Sequence, residues 1–93
     1  MAERKLKEYL LKKVARMKGE ARKVKWEGRN NAPDWRVMLP GHHPFWLELK
    51  DKDEEPTIMQ NREHVTMHRL GELVFWTDSE MGVDIIIAKV RYA

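Results

Sequence analysis

The sequence contains no cysteine, which excludes disulfide bonds, thiolate nucleophiles and cysteine-ligated zinc together. It also lacks long apolar runs, and none approaches the roughly 20 residues needed to span a bilayer. The N-terminal stretch carries Lys, Arg and Glu throughout, without the apolar segment of a secretory signal, so the cytoplasm of whichever cell makes the protein is the expected compartment. Repeats and low-complexity segments are missing as well. What is present is 93 residues, 42% hydrophobic and 35% charged, the balance of a folded domain rather than a disordered chain. A single domain over 1–93 is expected, with one core and no room for a regulatory module.

The net charge of +3 conceals an asymmetry. Residues 1–29 hold eleven Lys and Arg against four Glu, a net of +7, whereas residues 30–93 hold seven against eleven Asp and Glu, a net of −4. Clustered basic side chains gain by releasing condensed counterions from a polyanion, which points to nucleic acid. A lysine-rich solvated helix face is the other reading of the same charges, and charge alone does not choose between them.

Periodicity predicts a helix over 3–18, with Leu6, Tyr9, Leu10, Val14 and Met17 on one face and Gly19 as its stop. Val24 and Trp26 alternate with Lys23, Lys25 and Glu27 as in a short strand. The segment from Gly28 through Arg29, Asn30, Asn31 and Ala32 to Pro33 has loop chemistry, with Gly and Asn able to accept positive φ. A second strand is expected from Trp35 to Leu39, ending at Pro40-Gly41, and a third from Phe45 to Lys50. In the third, Phe45, Leu47 and Leu49 share one face, and Trp46, Glu48 and Lys50 share the other. After a charged loop, Asp51 to Pro56, a second helix is predicted from Thr57, its N-cap, to about Leu70, with Gly71 as its stop. Ile58, Val65 and Leu70 are its expected buried set, with Met59 and Met67 filling gaps. Leu73–Thr77 and Asp84–Val90 read as fourth and fifth strands. The expected fold is a small α/β mixed sheet flanked by helices.

The chemistry is concentrated between Pro33-Asp34 and Glu48-Leu49-Lys50. A carboxylate at the start of one strand, with Glu-x-Lys about a dozen residues later on the next, suits metal-assisted phosphodiester cleavage. Mg²⁺ prefers one or two carboxylates and keeps several waters. Asp34 and Glu48 can supply the carboxylates, and the Leu49 carbonyl is a third possible ligand. Lys50, two residues along the strand from Glu48, would hold the attacking water or stabilise charge on the phosphate. Lys23, Lys25 and Arg29 are candidate phosphate contacts beside the site. Each feature alone also has an ordinary reading, as a surface ion pair or a turn residue.

These motifs resemble those of a stand-alone VRR-NUC domain, a branch of the PD-(D/E)XK nuclease superfamily with short members in phages and some bacteria. The resemblance covers nearly the whole chain. It runs from Glu3, Leu6 and Leu10 through Gly28-Arg29, Pro33-Asp34 and Phe45-Trp46-Leu47-Glu48-Leu49-Lys50 to Pro56, Gln60, Leu70-Gly71 and the strand around Val74. It implies a PD-(D/E)XK nuclease-like fold and catalytic residues Asp34, Glu48 and Lys50, with Gln60 reaching in from the second helix and Glu3 from the first. Mg²⁺ or Mn²⁺ is the implied cofactor and DNA the implied substrate. Similarity to homodimeric Holliday-junction resolvases implies a homodimer with paired sites. The chain departs from the family pattern at Asn31, where Gly is usual, and at Trp35, where Arg commonly follows Pro-Asp.

Other readings stay open on sequence. The basic arm could serve a non-catalytic nucleic-acid-binding module, and nicking or flap cutting would suit the same site. His64 and His68, four apart on a helix, can present two imidazoles to one zinc, though a third ligand is not evident. His42 and His43 are expected to face solvent in the Pro-Gly turn. Trp46 and Trp35 are placed to line the cleft, and Trp76, in an apolar strand, is expected in the core.

Overall fold

The computed structural model describes residues 2–92. Along the chain lie α1 (Ala2–Arg16), β1 (Glu20–Lys23), β2 (Trp35–Met38), β3 (Phe45–Leu49), α2 (Ile58–Arg69), β4 (Val74–Thr77) and α3 (Glu80–Lys89). The four strands form a mixed sheet in chain order, antiparallel from β1 to β3 and parallel between β3 and β4, with α2 as the crossover. This is the small mixed α/β sheet with flanking helices that the sequence predicts.

The period-two alternation of β3 divides the molecule into layers. Phe45, Leu47 and Leu49 bury against Leu6, Leu10 and Val14 of α1 and Val83, Ile86 and Ile87 of α3. Trp46 projects from the other face into a smaller cluster with Trp26, Ala32, Val74 and Met67 of α2. Lys13 and the Tyr9 hydroxyl both bond Asp84 Oδ1, at 2.8 and 2.7 Å, and pin α1 to α3. The end of α1 is marked by Lys18, at φ 63°, rather than by Gly19. Gly19 is needed for space, because a Cβ there would meet the Met38 carbonyl oxygen and Leu39.

Several expectations are corrected. Residues 80–89 are helical rather than a fifth strand. Ser79 caps the helix by accepting from the Gly82 N–H at 3.0 Å, and the buried positions Val83, Ile86, Ile87 and Val90 follow a helical period. The first strand lies at Glu20–Lys23, earlier than the Val24–Trp26 alternation suggested. Trp26 instead packs on Trp46 at 4.9 Å between ring centroids and donates its indole N–H to the Pro33 carbonyl. In the following loop the left-handed residue is Gly28, and Asn31 does not adopt positive φ.

Helix α2 keeps its predicted caps, since Thr57 and Gln60 form a reciprocal capping box. Its buried face is not the expected one, however. Ile58 and Val65 are 72% and 67% exposed, Leu70 is exposed too, and His64 and Met67 are the buried pair. Met67 packs in the cluster with Val74 and Trp46, and the apolar residues Ile58, Val65 and Leu70 fall outside that face. Trp76 is 36% exposed rather than core, and His42 is buried, with its Nδ1 donating to the Pro40 carbonyl at 2.9 Å.

Candidate active site

The antiparallel register of β2 and β3 pairs Trp35 with Leu47 and Arg36 with Trp46. One further step places Asp34 opposite Glu48 on the sheet face away from α1 and α3. The β1 side supports Asp34 as well: the Val24 N–H donates to its carbonyl at 2.8 Å, and Lys23 Nζ lies 2.9 Å from its Oδ2. Lys23, expected on a DNA phosphate, is thus drawn onto the site's own carboxylate, with its ammonium 5.2 Å from the centre of the Trp35 ring. Trp35 itself is buried in the core, exposing only an edge to the cleft.

Glu48 is only 9% exposed, and its Oε1 is buried without a hydrogen-bond partner among the described residues. Burial pushes its carboxyl up to about 7; the charges of Asp34 and Glu3 push the same way, while the Lys50 and Lys23 ammoniums oppose them. Asp34, Glu3, Lys50 and Lys23 therefore all lie within electrostatic reach of one buried oxygen. The Lys50 N–H donates to the Thr77 carbonyl at 3.0 Å, which extends the β3–β4 ladder and keeps Lys50 in phase with Glu48. Leu49 buries its side chain in the core, so its backbone carbonyl is what it can offer the site.

Glu3 is brought close by an unusual cap. Its backbone N–H donates to Asp51 Oδ1 at 2.8 Å, fastening the start of α1 to the residue after Lys50. Glu3, Arg4, Lys7, Lys23, Trp35 and Asp51 line a cleft of about 390 Å³. The acidic loop after Lys50 is thus partly structural: Asp51 caps α1, and the Asp53 N–H donates to Asp78 Oδ2 at 2.9 Å.

No family model and no curated protein matches the chain. Among solved structures, one described as a VRR_NUC domain superposes with a TM-score of 0.84 at 32% sequence identity, covering 95% of this chain and 96% of that one. The chain belongs to the VRR_NUC family.

Within this VRR_NUC domain, the remaining expected site residues are more dispersed. Gln60 uses its side-chain oxygen to accept from the Thr57 N–H at 2.9 Å, so it is held in the first turn of α2, and no bond among the described residues ties it to Asp34, Glu48 or Lys50. Arg29 pairs with Glu63 of α2 at 3.3 Å, beside a polar cleft of about 300 Å³ that also includes Asn30, Asn31 and Arg62. Lys25 is exposed. Arg36, following Trp35, pairs with Glu72 and stacks over Trp46.

His64 has surroundings that its spacing did not suggest. It is buried, its Nε2 has no partner among the described residues, and Lys50 lies within electrostatic reach. Burial, with His68 and Lys50 nearby, lowers its imidazole below the usual value, while the charge of Glu63 opposes them. His68 instead directs Nε2 at the Val74 carbonyl, 2.7 Å away. With that nitrogen engaged, and no group of three His, Asp or Glu among the described residues arranged around a metal, the zinc reading has no support.

A divalent cation fits Asp34 and Glu48. Asp34 directly precedes β2 and Glu48 lies on the neighbouring β3, the buried Glu48 Oε1 lacks a donor among the described residues, and an ammonium already balances Asp34. Two carboxylates, a backbone carbonyl and water make a donor set suited to Mg²⁺ or Mn²⁺ rather than to a softer metal.

Proposed function

We propose that the protein is a metal-dependent endodeoxyribonuclease of PD-(D/E)XK type that hydrolyses phosphodiester bonds in DNA. The observation that carries this reading is Glu48 Oε1, buried and unpartnered across from Asp34 and beside Lys50, in a chain of the VRR_NUC family. Asp34, Glu48 and the Leu49 carbonyl would hold Mg²⁺ or Mn²⁺. Bound there, the cation supplies Lewis-acid charge to the phosphate and makes water a stronger acid.

The chain's own residues do the rest. Lys50 offers an ammonium to the attacking water or to the phosphate oxygens as charge builds on them. With a cation held at Asp34, the Lys23 ammonium would be free to meet the incoming phosphate. Glu3, anchored by Asp51, closes the cleft on the α1 side and adds negative charge that favours a cation. In this reading Gln60 would reach the site from α2 on leaving its capping bond to Thr57, and Lys25 and Arg29 would guide the flanking phosphates.

The preferred substrate in this reading is branched DNA, with resolution of a four-way junction by a homodimer whose two sites cut symmetrically. Nicking or flap cutting is the same chemistry with one site engaged. The test is cleavage of a labelled four-way junction and a matched linear duplex with Mg²⁺, Mn²⁺ or EDTA, by wild type and Asp34→Ala. Metal-dependent cutting that Asp34→Ala loses is the expected result, with the junction cut faster. Binding of both DNAs without cutting under either metal would leave a non-catalytic binding module instead.

A further inference from the structure

Three of the four tryptophans have a structural explanation. Trp35 belongs to the main core, while Trp26 and Trp46 pack together and donate their indole N–H groups to the Pro33 carbonyl and to Glu72. Trp76 has neither kind of support. It belongs to neither apolar cluster, and its indole N–H has no partner among the described residues. A large ring in a sheet strand that keeps about a third of its surface in water forgoes part of the burial that usually justifies it there.

Its position is informative. The parallel register sets Trp76 opposite Glu48, so both project from one face on strands about 4.8 Å apart. Asp34 continues the same row on the other side of Glu48. Two residues before Trp76, Val74 is buried in a cluster with Met67 of α2, whereas Trp76, beside the buried Glu48, stays partly open to solvent. A flat, uncharged, hydrogen-bond-capable surface thus flanks the carboxylates, on the opposite side from Lys23 and the β1 strand.

We propose that Trp76 is a stacking platform for an unpaired nucleobase next to the scissile phosphate, which makes the site selective for DNA with unstacked nucleotides. This rests on the nuclease reading of Asp34, Glu48 and Lys50. A base within an intact duplex has both faces covered by its neighbours and offers none to an indole. An unpaired base at a branch, gap or flap offers one, and stacking on it is indifferent to base identity. The base also lies one sugar from its own phosphate, so a phosphate at Glu48 brings it within reach of the adjacent strand.

The test measures binding by an Asp34→Asn protein, alone and with Trp76→Ala or Trp76→Phe. The two DNAs are a duplex and the same duplex with one unpaired 2-aminopurine. Trp76→Ala is expected to weaken binding of the unpaired DNA about tenfold and abolish the 2-aminopurine quenching, with Trp76→Phe retaining most of both. Duplex affinity should stay within about twofold, and circular dichroism melting should confirm that all variants fold. Equal losses on both DNAs, no loss on either, or failure of Trp76→Phe alongside Trp76→Ala would overturn the proposal. So would unchanged DNA binding with a change in sedimentation, which would assign the ring to a protein contact. If the wild type cuts neither DNA with either metal, the nuclease reading fails separately, while these binding comparisons still decide the role of Trp76.

Discussion

Glu48 concentrates the conflict between stability and function in one side chain. Its carboxyl is raised to about 7 in the folded protein from an ordinary value of 4.5. Between those pH values the native state holds a proton that the unfolded state has lost, so stability falls as pH rises across this window. The stabilising proton is fully bound below about 4.5 and gone above about 7. Glu48→Gln, which keeps the shape and removes the charge, should flatten this slope and stabilise the metal-free protein at pH 8 by ~1–3 kcal/mol. Urea titrations of both proteins at pH 5 and pH 8 measure it, and equal slopes would show that Glu48 is not the group responsible. The same substitution should remove cleavage, and Mg²⁺ should raise the melting temperature of wild type at pH 8 but not that of Glu48→Gln. The grouping of Glu48 with Lys50 was legible because strand periodicity alone puts them on one face, and the register then sets Asp34 across from Glu48. Trp76 was not, since its adjacency to Glu48 depends on a parallel register that no local pattern specifies. Lys23 looked like a phosphate ligand because sequence shows charge but not the 2.9 Å approach to Asp34.

Among the elements, those with both a period and a cap were readable. Helix α1 follows its Leu6, Leu10, Val14 stripe, and α2 starts at its Thr57 cap. Thr57→Ala breaks the capping box and frees Gln60 from the first turn, and should cost about 1 kcal/mol in chemical denaturation. If Gln60 also serves the site, cleavage should slow by more than that loss of stability explains. Helix α3 was misread because consecutive Ile85, Ile86 and Ile87 favour a strand by propensity, whereas burial selects Val83, Ile86, Ile87 and Val90. The apolar side of α2 misled in the opposite direction, since hydrophobicity identified Ile58 and Val65 but the sheet receives His64 and Met67. Gly19 shows a third limit. A glycine after a helix suggests a left-handed cap, yet the constraint here is contact with the backbone of Met38 and Leu39 across the sheet. Gly19→Ala should therefore destabilise by ~1–3 kcal/mol, because backbone atoms cannot yield as a flexible side chain would. An unchanged melting temperature in that variant would show that the β1–β2 edge relaxes freely.

At the scale of the molecule, the charge asymmetry acquires a direction. The basic N-terminal third supplies α1 and β1, and Arg4, Lys7 and Lys23 line the cleft that Glu3 closes. The acidic remainder supplies the carboxylates and the loop after Lys50. A polyanion approaching from the α1 and β1 side meets positive charge first, and in the proposed mechanism a cation would bridge it to the negative centre. In that mechanism the cation would link binding to chemistry, and basic residues outside the centre should govern salt dependence without governing substrate choice. Lys25 is the cleanest probe because it is exposed and makes no ion pair among the described residues. In the Asp34→Asn background, Lys25→Ala should lower the slope of log affinity against log salt by about 1 and weaken duplex and junction equally. Trp76→Ala should leave that slope unchanged while altering the preference between the two DNAs. Fluorescence anisotropy from 50 to 200 mM salt separates these outcomes. An unchanged slope for Lys25→Ala would remove it from the phosphate path, whereas a loss confined to the junction would mean that electrostatics contributes to selecting branched DNA.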